Sequence, residues 1–214
     1  MKVHCRRVTS NRIAWCLEEV GVEGKTNDLA QRYPPGDLAI WIFILAELAV
    51  FAAFFAAYAF TRMDNVELFD TYQQSLDRRA ALINTLALIT SSYFVVRAVA
   101  AVREGSNHGC VRWLLAALGM GLLFLVVKGN EYAHHFGEGV TLSTNTFYMF
   151  YLSLTFFHFM HVILGMIILA AVAVKAQRGG YSAADHTGVE TGASYWHMVD
   201  LVWLILFPLV YVMR

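Results

Sequence analysis

Residues Leu38 to Phe60 read LAIWIFILAELAVFAAFFAAYAF, 23 residues with a single charge, Glu47. A helix of that length rises about 34 Å, enough to cross the hydrocarbon core of a bilayer. Lipid offers no partner to a bare peptide group, so the stretch is expected to be a transmembrane helix. Four further stretches repeat the pattern. Ala80 to Val102 is interrupted by Arg97, and Trp113 to Tyr132 carries Lys128 and Glu131 near its end. Thr146 to Val174 holds His158 and His161, and Ala193 to Met213 holds His197 and Asp200 in its first turns. The expected fold is an all-α integral membrane protein, a five-transmembrane-helix bundle over residues 35–214.

Composition agrees. Of 214 residues, 58% are apolar and 15% charged, with a mean hydropathy of +0.52. Soluble domains carry about 25% charge, which covers their surface. Sixteen basic residues balance sixteen acidic ones, leaving no excess positive charge to hold a phosphate backbone, so nucleic acid is not an expected partner. Cys5, Cys16 and Cys110 form no CxxC pair and read as free thiols on a reducing face. His4 beside Cys5 is too small a set for a metal site. A cleavable signal peptide is not expected, since the first apolar stretch starts at Leu38 and is too long for an h-region.

With five spans, the N-terminal arm and the loops after spans two and four share one side. That side collects eleven Lys and Arg against five on the other. The bias predicts a cytoplasmic N-terminus and an outside C-terminus. Residues 1–34 are different material, a polar cytoplasmic arm. Ser10 and Asn11 can cap a short amphipathic helix from Arg12 to Val20, ended by Gly21. Such a helix lies on the membrane face or docks to a partner.

Glu47 is the sharpest chemical feature. It falls about 13 Å along its span, and helical spacing puts Phe51, Phe54 and Tyr58 on its face. A bare carboxylate there is costly, so it must be protonated, paired or wetted. Two readings follow: proton handling or a subunit contact, and a neutral acid bonded to a neighbouring helix for packing. His158 and His161 share a helical face by spacing and would serve interhelical hydrogen bonds, or a metal or haem. His134 and His135 are adjacent, as in membrane di-iron oxygenases, but His158 lies about 18 Å along span four from its start, too far to share a site. Lys128 with Glu131, and His197 with Asp200, are i,i+3 pairs expected to serve packing; Arg97 is expected to snorkel or to reach Asp200. Ala49, Ala53 and Ala57, with Gly119, Gly121 and Gly165, would admit close helix approach. Tyr195, Trp196, Trp203 and Tyr211 read as an aromatic belt.

Five motifs in order carry a resemblance: PGDLAIWIFILAELAVFAAFFAAY (Pro35 to Tyr58), LINTLALITSS (Leu82 to Ser92), VKGNEY with Glu131, FYMFYLSLTFFHFMHVILG with His158 and His161, and ASYWHMVDLVWLILFPLVYV with a YWHxVDxxW signature. The set resembles subunit III of the haem-copper oxidases, with Glu47 at the family's intramembrane glutamate. PGDLAIW, YSAADHTGVETGASYWHMVD and FPLVY look most like the NorE branch, five-helix proteins associated with nitric oxide reductase and denitrification. The mitochondrial form has two helices before the five seen here.

The resemblance implies a multi-pass subunit of a bacterial cytoplasmic (inner) membrane, not itself catalytic, in a respiratory electron-transport complex. It would bind no haem or copper and no metal. Haem, and copper or iron, would sit in a catalytic partner subunit, with membrane lipids, including a bound phospholipid, as further partners. Glu47, Glu131, His158, His161, His197 and Asp200 would be its buried polar or proton-handling contacts. The main expectation is a NorE-like accessory subunit supporting assembly, stability or turnover of nitric oxide reductase. The alternative is a five-helix subunit III of a cytochrome c or quinol terminal oxidase. A membrane di-iron oxygenase and a small proton pathway are more distant readings.

Overall fold

Each expected span is a helix in the computed structural model, which describes residues 38–213. The helices are α1 (Leu38–Asp64), α2 (Val66–Gln73), α3 (Arg78–Arg103), α4 (Asn107–Gly137), α5 (Thr146–Gln177) and α6 (Thr187–Phe207). A π-helical turn, Pro208–Val212, continues α6. Five of these elements are long and apolar enough to cross a membrane, and no strand occurs among the described residues. The expected helix from Arg12 to Val20 and the arm around it lie outside the described residues.

The helices outrun their apolar stretches because polar caps set their ends. Asp77 accepts from the backbone N–H groups of Arg79 and Ala80, starting α3. Ser106 and Asn145 do the same for α4 and α5. At the far ends of α3 and α4, Gly105 and Gly139 have φ of 77° and 78°, a region costly for other residues. α4 therefore begins six residues before Trp113, where charge and hydropathy had placed its start.

α2 is an unexpected short helix between α1 and α3. Phe69 and Gln73 are its buried residues, while Glu67 lies in its first turn. Arg62 of α1 holds it through a 2.9 Å ion pair with Asp70.

The tightest packing surrounds α6. Tyr195, Trp196, Trp203 and Tyr211, expected as a belt at the membrane surfaces, are all core residues at no more than 1% exposure. Their rings fill the centre, where Trp203 meets Phe124 edge-to-face at 4.9 Å. Gly165 makes room for this: a Cβ there would lie 2.8 Å from Trp196. Gly121 faces Trp196 and Met166 in the same way, whereas Gly119 meets nothing within 4 Å. α1 lies at the opposite extreme. Its buried residues are Ile44, Phe51 and Tyr58, while Leu38, Ile42, Leu45 and Phe60 are 63–69% exposed. Ala49, Ala53 and Ala57 are also exposed, so among the described residues no helix packs on the alanine stripe. An apolar face this large needs lipid or protein against it.

Candidate functional site

Three polar centres lie within the bundle, one fully and two partly buried, and each ties helices together. The first joins α1 to α5. His161 Nε2 lies 3.1 Å from Glu47 Oε2, and its Nδ1 lies 2.7 Å from the Phe157 carbonyl oxygen. A carbonyl only accepts, so Nδ1 carries a hydrogen, and the bond between Nε2 and Glu47 needs one more. One proton must then occupy the gap between Nε2 and Oε2, on the acid or on the imidazole. Either way the pair is neutral overall, which satisfies the cost of charge in an apolar span. Phe51 and Phe157 pack on the imidazole with centroids at 5.3 and 4.6 Å. Phe51 and Tyr58 are buried, while Phe54 is 36% exposed.

The second centre joins α4, α5 and the π turn. Lys128 is fully buried, with its ammonium 3.1 Å from Glu131 Oε2. It also donates to the phenol oxygens of Tyr151 and Tyr211, at 3.1 and 2.5 Å. Both phenols donate in turn to Glu131 Oε1, Tyr211 at 2.9 Å. The rings of Tyr132, Tyr151 and Tyr211 surround the ammonium at 4.8–5.3 Å, where their faces attract a cation. Pro208 opens the turn that carries Tyr211. It has no N–H to offer the Leu204 carbonyl, and the turn after it is π-helical, with Met213 N–H bonding the Pro208 carbonyl five residues back at 2.8 Å and Tyr211 buried within it. Gln73 of α2 donates to the Val210 carbonyl at 2.9 Å and holds that turn.

Beside Glu131 opens a cavity of about 510 Å³ bordered by Asp77, His134, His135, Glu138 and Tyr148. His134 and His135 are 3.5 and 3.8 Å from Glu138. They stand apart from His158, as the span lengths required.

The third centre joins α3 to α6. His197 Nδ1 lies 2.7 Å from Ser92 Oγ and 3.5 Å from Asp200 Oδ2. Trp203 donates its indole N–H to Thr85 Oγ1 at 3.0 Å. Asp200 is buried and takes no cation from α3. Arg97 instead lies over the Trp113 ring at 5.4 Å, so the expected Arg97–Asp200 contact does not form.

His158 and His161 part company. His158 is fully buried and donates from Nε2 to the Val199 carbonyl at 3.1 Å, wedged between Phe124 and Trp203. Three residues along a helix leave about 60° between side chains, enough to send one ring to α6 and the other to α1. His158 bonds α6 and His161 bonds α1. Among the described residues no group of three or more His, Cys, Asp or Glu side chains is placed to hold a metal ion. Cys110 is buried and free; Cys5 and Cys16 lie outside the described residues. Sequence reading passed over Tyr151, Ser92 and Thr85, and it read Tyr211 as an interface ring. The available signal was chemical: a phenol in an apolar span needs a partner for its hydroxyl.

These features define a multi-pass membrane protein whose helices are tied together by polar side chains within the bundle. Residues 17–214 match the family described as Cytochrome c oxidase subunit III, and the chain belongs to that family. It is 32% identical over 201 residues to a cytochrome c oxidase subunit 3 of Synechocystis sp., covering 88% of this chain and 85% of the relative. It is 29% identical over 182 residues to the quinol oxidase subunit 3 of Bacillus subtilis, covering 82% and 86%. A probable cytochrome c oxidase subunit 3 of Rickettsia conorii is 34% identical over 189 residues, 80% of this chain and 65% of that protein. All three are oxidase subunits, and the narrower likeness to the NorE branch gains no support from them.

Proposed function

We propose that the chain is the five-helix subunit III of a bacterial terminal oxidase, fed by cytochrome c or quinol. It stands beside a catalytic subunit that holds the haem and copper, supports that subunit's assembly and durable turnover, and retains phospholipid at its flank. The chain itself carries no redox centre and performs no catalytic step. It resides in the cytoplasmic membrane with its N-terminal arm, residues 1–34, inside. The observation that carries this reading is the family match over residues 17–214, shared with relatives named for both electron donors. The geometry supports it, because Glu47, Lys128, Glu131, His158 and His161 each bond another part of the same bundle.

The second reading is the NorE-like subunit of nitric oxide reductase, favoured by the PGDLAIW and YSAADHTGVETGASYWHMVD runs. One experiment separates the two. The full chain is isolated from its native membrane in mild detergent, and its companions are identified by mass spectrometry and visible spectrum. A haem-copper oxidase that consumes oxygen supports the first reading. Nitric oxide reductase subunits support the second, and isolation alone removes both.

A further inference from the structure

Three polar rungs join α3 to α6. Arg103, at the end of α3, pairs with Glu190 in the first turn of α6 at 2.7 Å. Ser92 meets His197 at 2.7 Å, and Thr85 takes the indole N–H of Trp203 at 3.0 Å. The middle rung lies about 16 Å along α3 from Arg103 and about 21 Å from Arg78. It therefore falls near mid-depth of a hydrocarbon core about 30 Å thick.

At that depth the His197 side chain is still 38% exposed. Its Nδ1 faces Ser92 Oγ and Asp200 Oδ2, and among the described residues no hydrogen bond reaches its Nε2. Behind it Asp200, 6% exposed, keeps Oδ1 buried without a hydrogen-bond partner. The exposed side chains at helical spacing from this rung are apolar: Ile89 and Val96 on α3, Leu201 and Leu204 on α6, at 43–52%. Acyl chains cover those four but offer nothing to an imidazole nitrogen. α1 makes the contrast. Between Leu38 and Phe60 its exposed side chains are all apolar, and lipid covers such a face as well as protein does.

We propose that the α3–α6 seam is the face on which the haem-bearing catalytic subunit docks, through a transmembrane helix whose hydroxyl or amide side chain hydrogen-bonds His197 Nε2. A hydroxyl or an amide both donates and accepts, so it meets the ring nitrogen in either tautomer. The inference rests on the proposed function, which supplies the neighbour but not the face.

The test uses the full chain in its native membrane complex. p-Benzoylphenylalanine placed at Leu201 or Ile89 should cross-link on illumination to the haem-bearing subunit. Placed at Leu45 of α1 or Ile167 of α5, both at least 60% exposed, it should not. Cross-links from Leu45 or Ile167 instead of the seam leave the proposed function standing and overturn the docking face. Seam cross-links to a second copy of the chain, or to lipid alone, overturn it as well. A chain that isolates with no haem-bearing companion overturns the proposed function and the docking face with it.

Two substitutions test the anchor. His197→Asn keeps an amide level with Nδ1 for Ser92 and has nothing at Nε2. It should lower the yield of co-isolated haem-bearing subunit about threefold, the size of one interhelical hydrogen bond, and leave the melting temperature of the isolated chain unchanged. His197→Gln, whose amide reaches nearer Nε2, should retain the yield. Equal yields from wild type and His197→Asn, or losses that track melting temperature in both variants, would assign His197 to internal packing and overturn the proposal.

Discussion

Glu47 and His161 meet across 114 residues of sequence, 3.1 Å apart, and the Phe157 carbonyl behind the imidazole leaves one proton for the two of them. The bond fastens α1, the least buried of the spanning helices, to α5. It stores no net charge, which is why an acid is tolerated within an apolar span.

Glu47→Gln should leave insertion and fold intact, because the amide can donate an N–H to Nε2 in place of the shared proton. Accumulation in the membrane should match wild type, and any effect should appear in the turnover or lifetime of the complex. Glu47→Lys should accumulate poorly, since its charge is not easily neutralised in hydrocarbon. His161→Leu leaves the partly buried acid without its partner and should cost about 1–3 kcal/mol in thermal unfolding in detergent. A Glu47→Gln chain absent from membranes would refute this account.

Lys128→Met removes the cation from a carboxylate already holding two phenol donors. The expected loss is about 3–5 kcal/mol, the scale of a buried pair broken on one side. Lys128→Met/Glu131→Gln should recover much of it, because no unpaired charge remains. Equal melting temperatures for the single and double variants would show that the pair is not coupled.

Gly165→Val should destabilise the chain by about 1–3 kcal/mol, since even its Cβ would lie 2.8 Å from Trp196 in a filled core. Gly119→Ala meets nothing within 4 Å and should leave the isolated chain's melting temperature unchanged. The reverse order of sensitivity would contradict the packing around Trp196.

Cys110 is buried at 0% exposure. With Cys5 and Cys16 replaced by Ser, the folded chain should resist maleimide in detergent and react once denatured. Rapid labelling of the folded protein would place the α4 start at the surface.

Legibility in the sequence followed the range of each interaction. Lys128 and Glu131, three residues apart, were readable as a pair because helical spacing is local, and so were His197 and Asp200. Their outside partners, Tyr151, Tyr211 and Ser92, were not. Glu47 announced itself as an acid in need of a partner, but nothing in its span pointed to His161. The aromatic residues of α6 misled, because a ring that belongs to a belt and one that belongs to a core have the same hydropathy.

The sequence by itself determined the five spans, since lipid forces every peptide group to close its hydrogen bond within its own helix, and that demand is written in unbroken apolar stretches. Only the tertiary structure decided which way each helix turns about its axis. That rotation fixes whether His158 answers Val199 or Glu47, and whether Arg97 finds Asp200 or Trp113. Hydropathy is blind to it, because side chains from four helices must fit together before any one rotation is preferred.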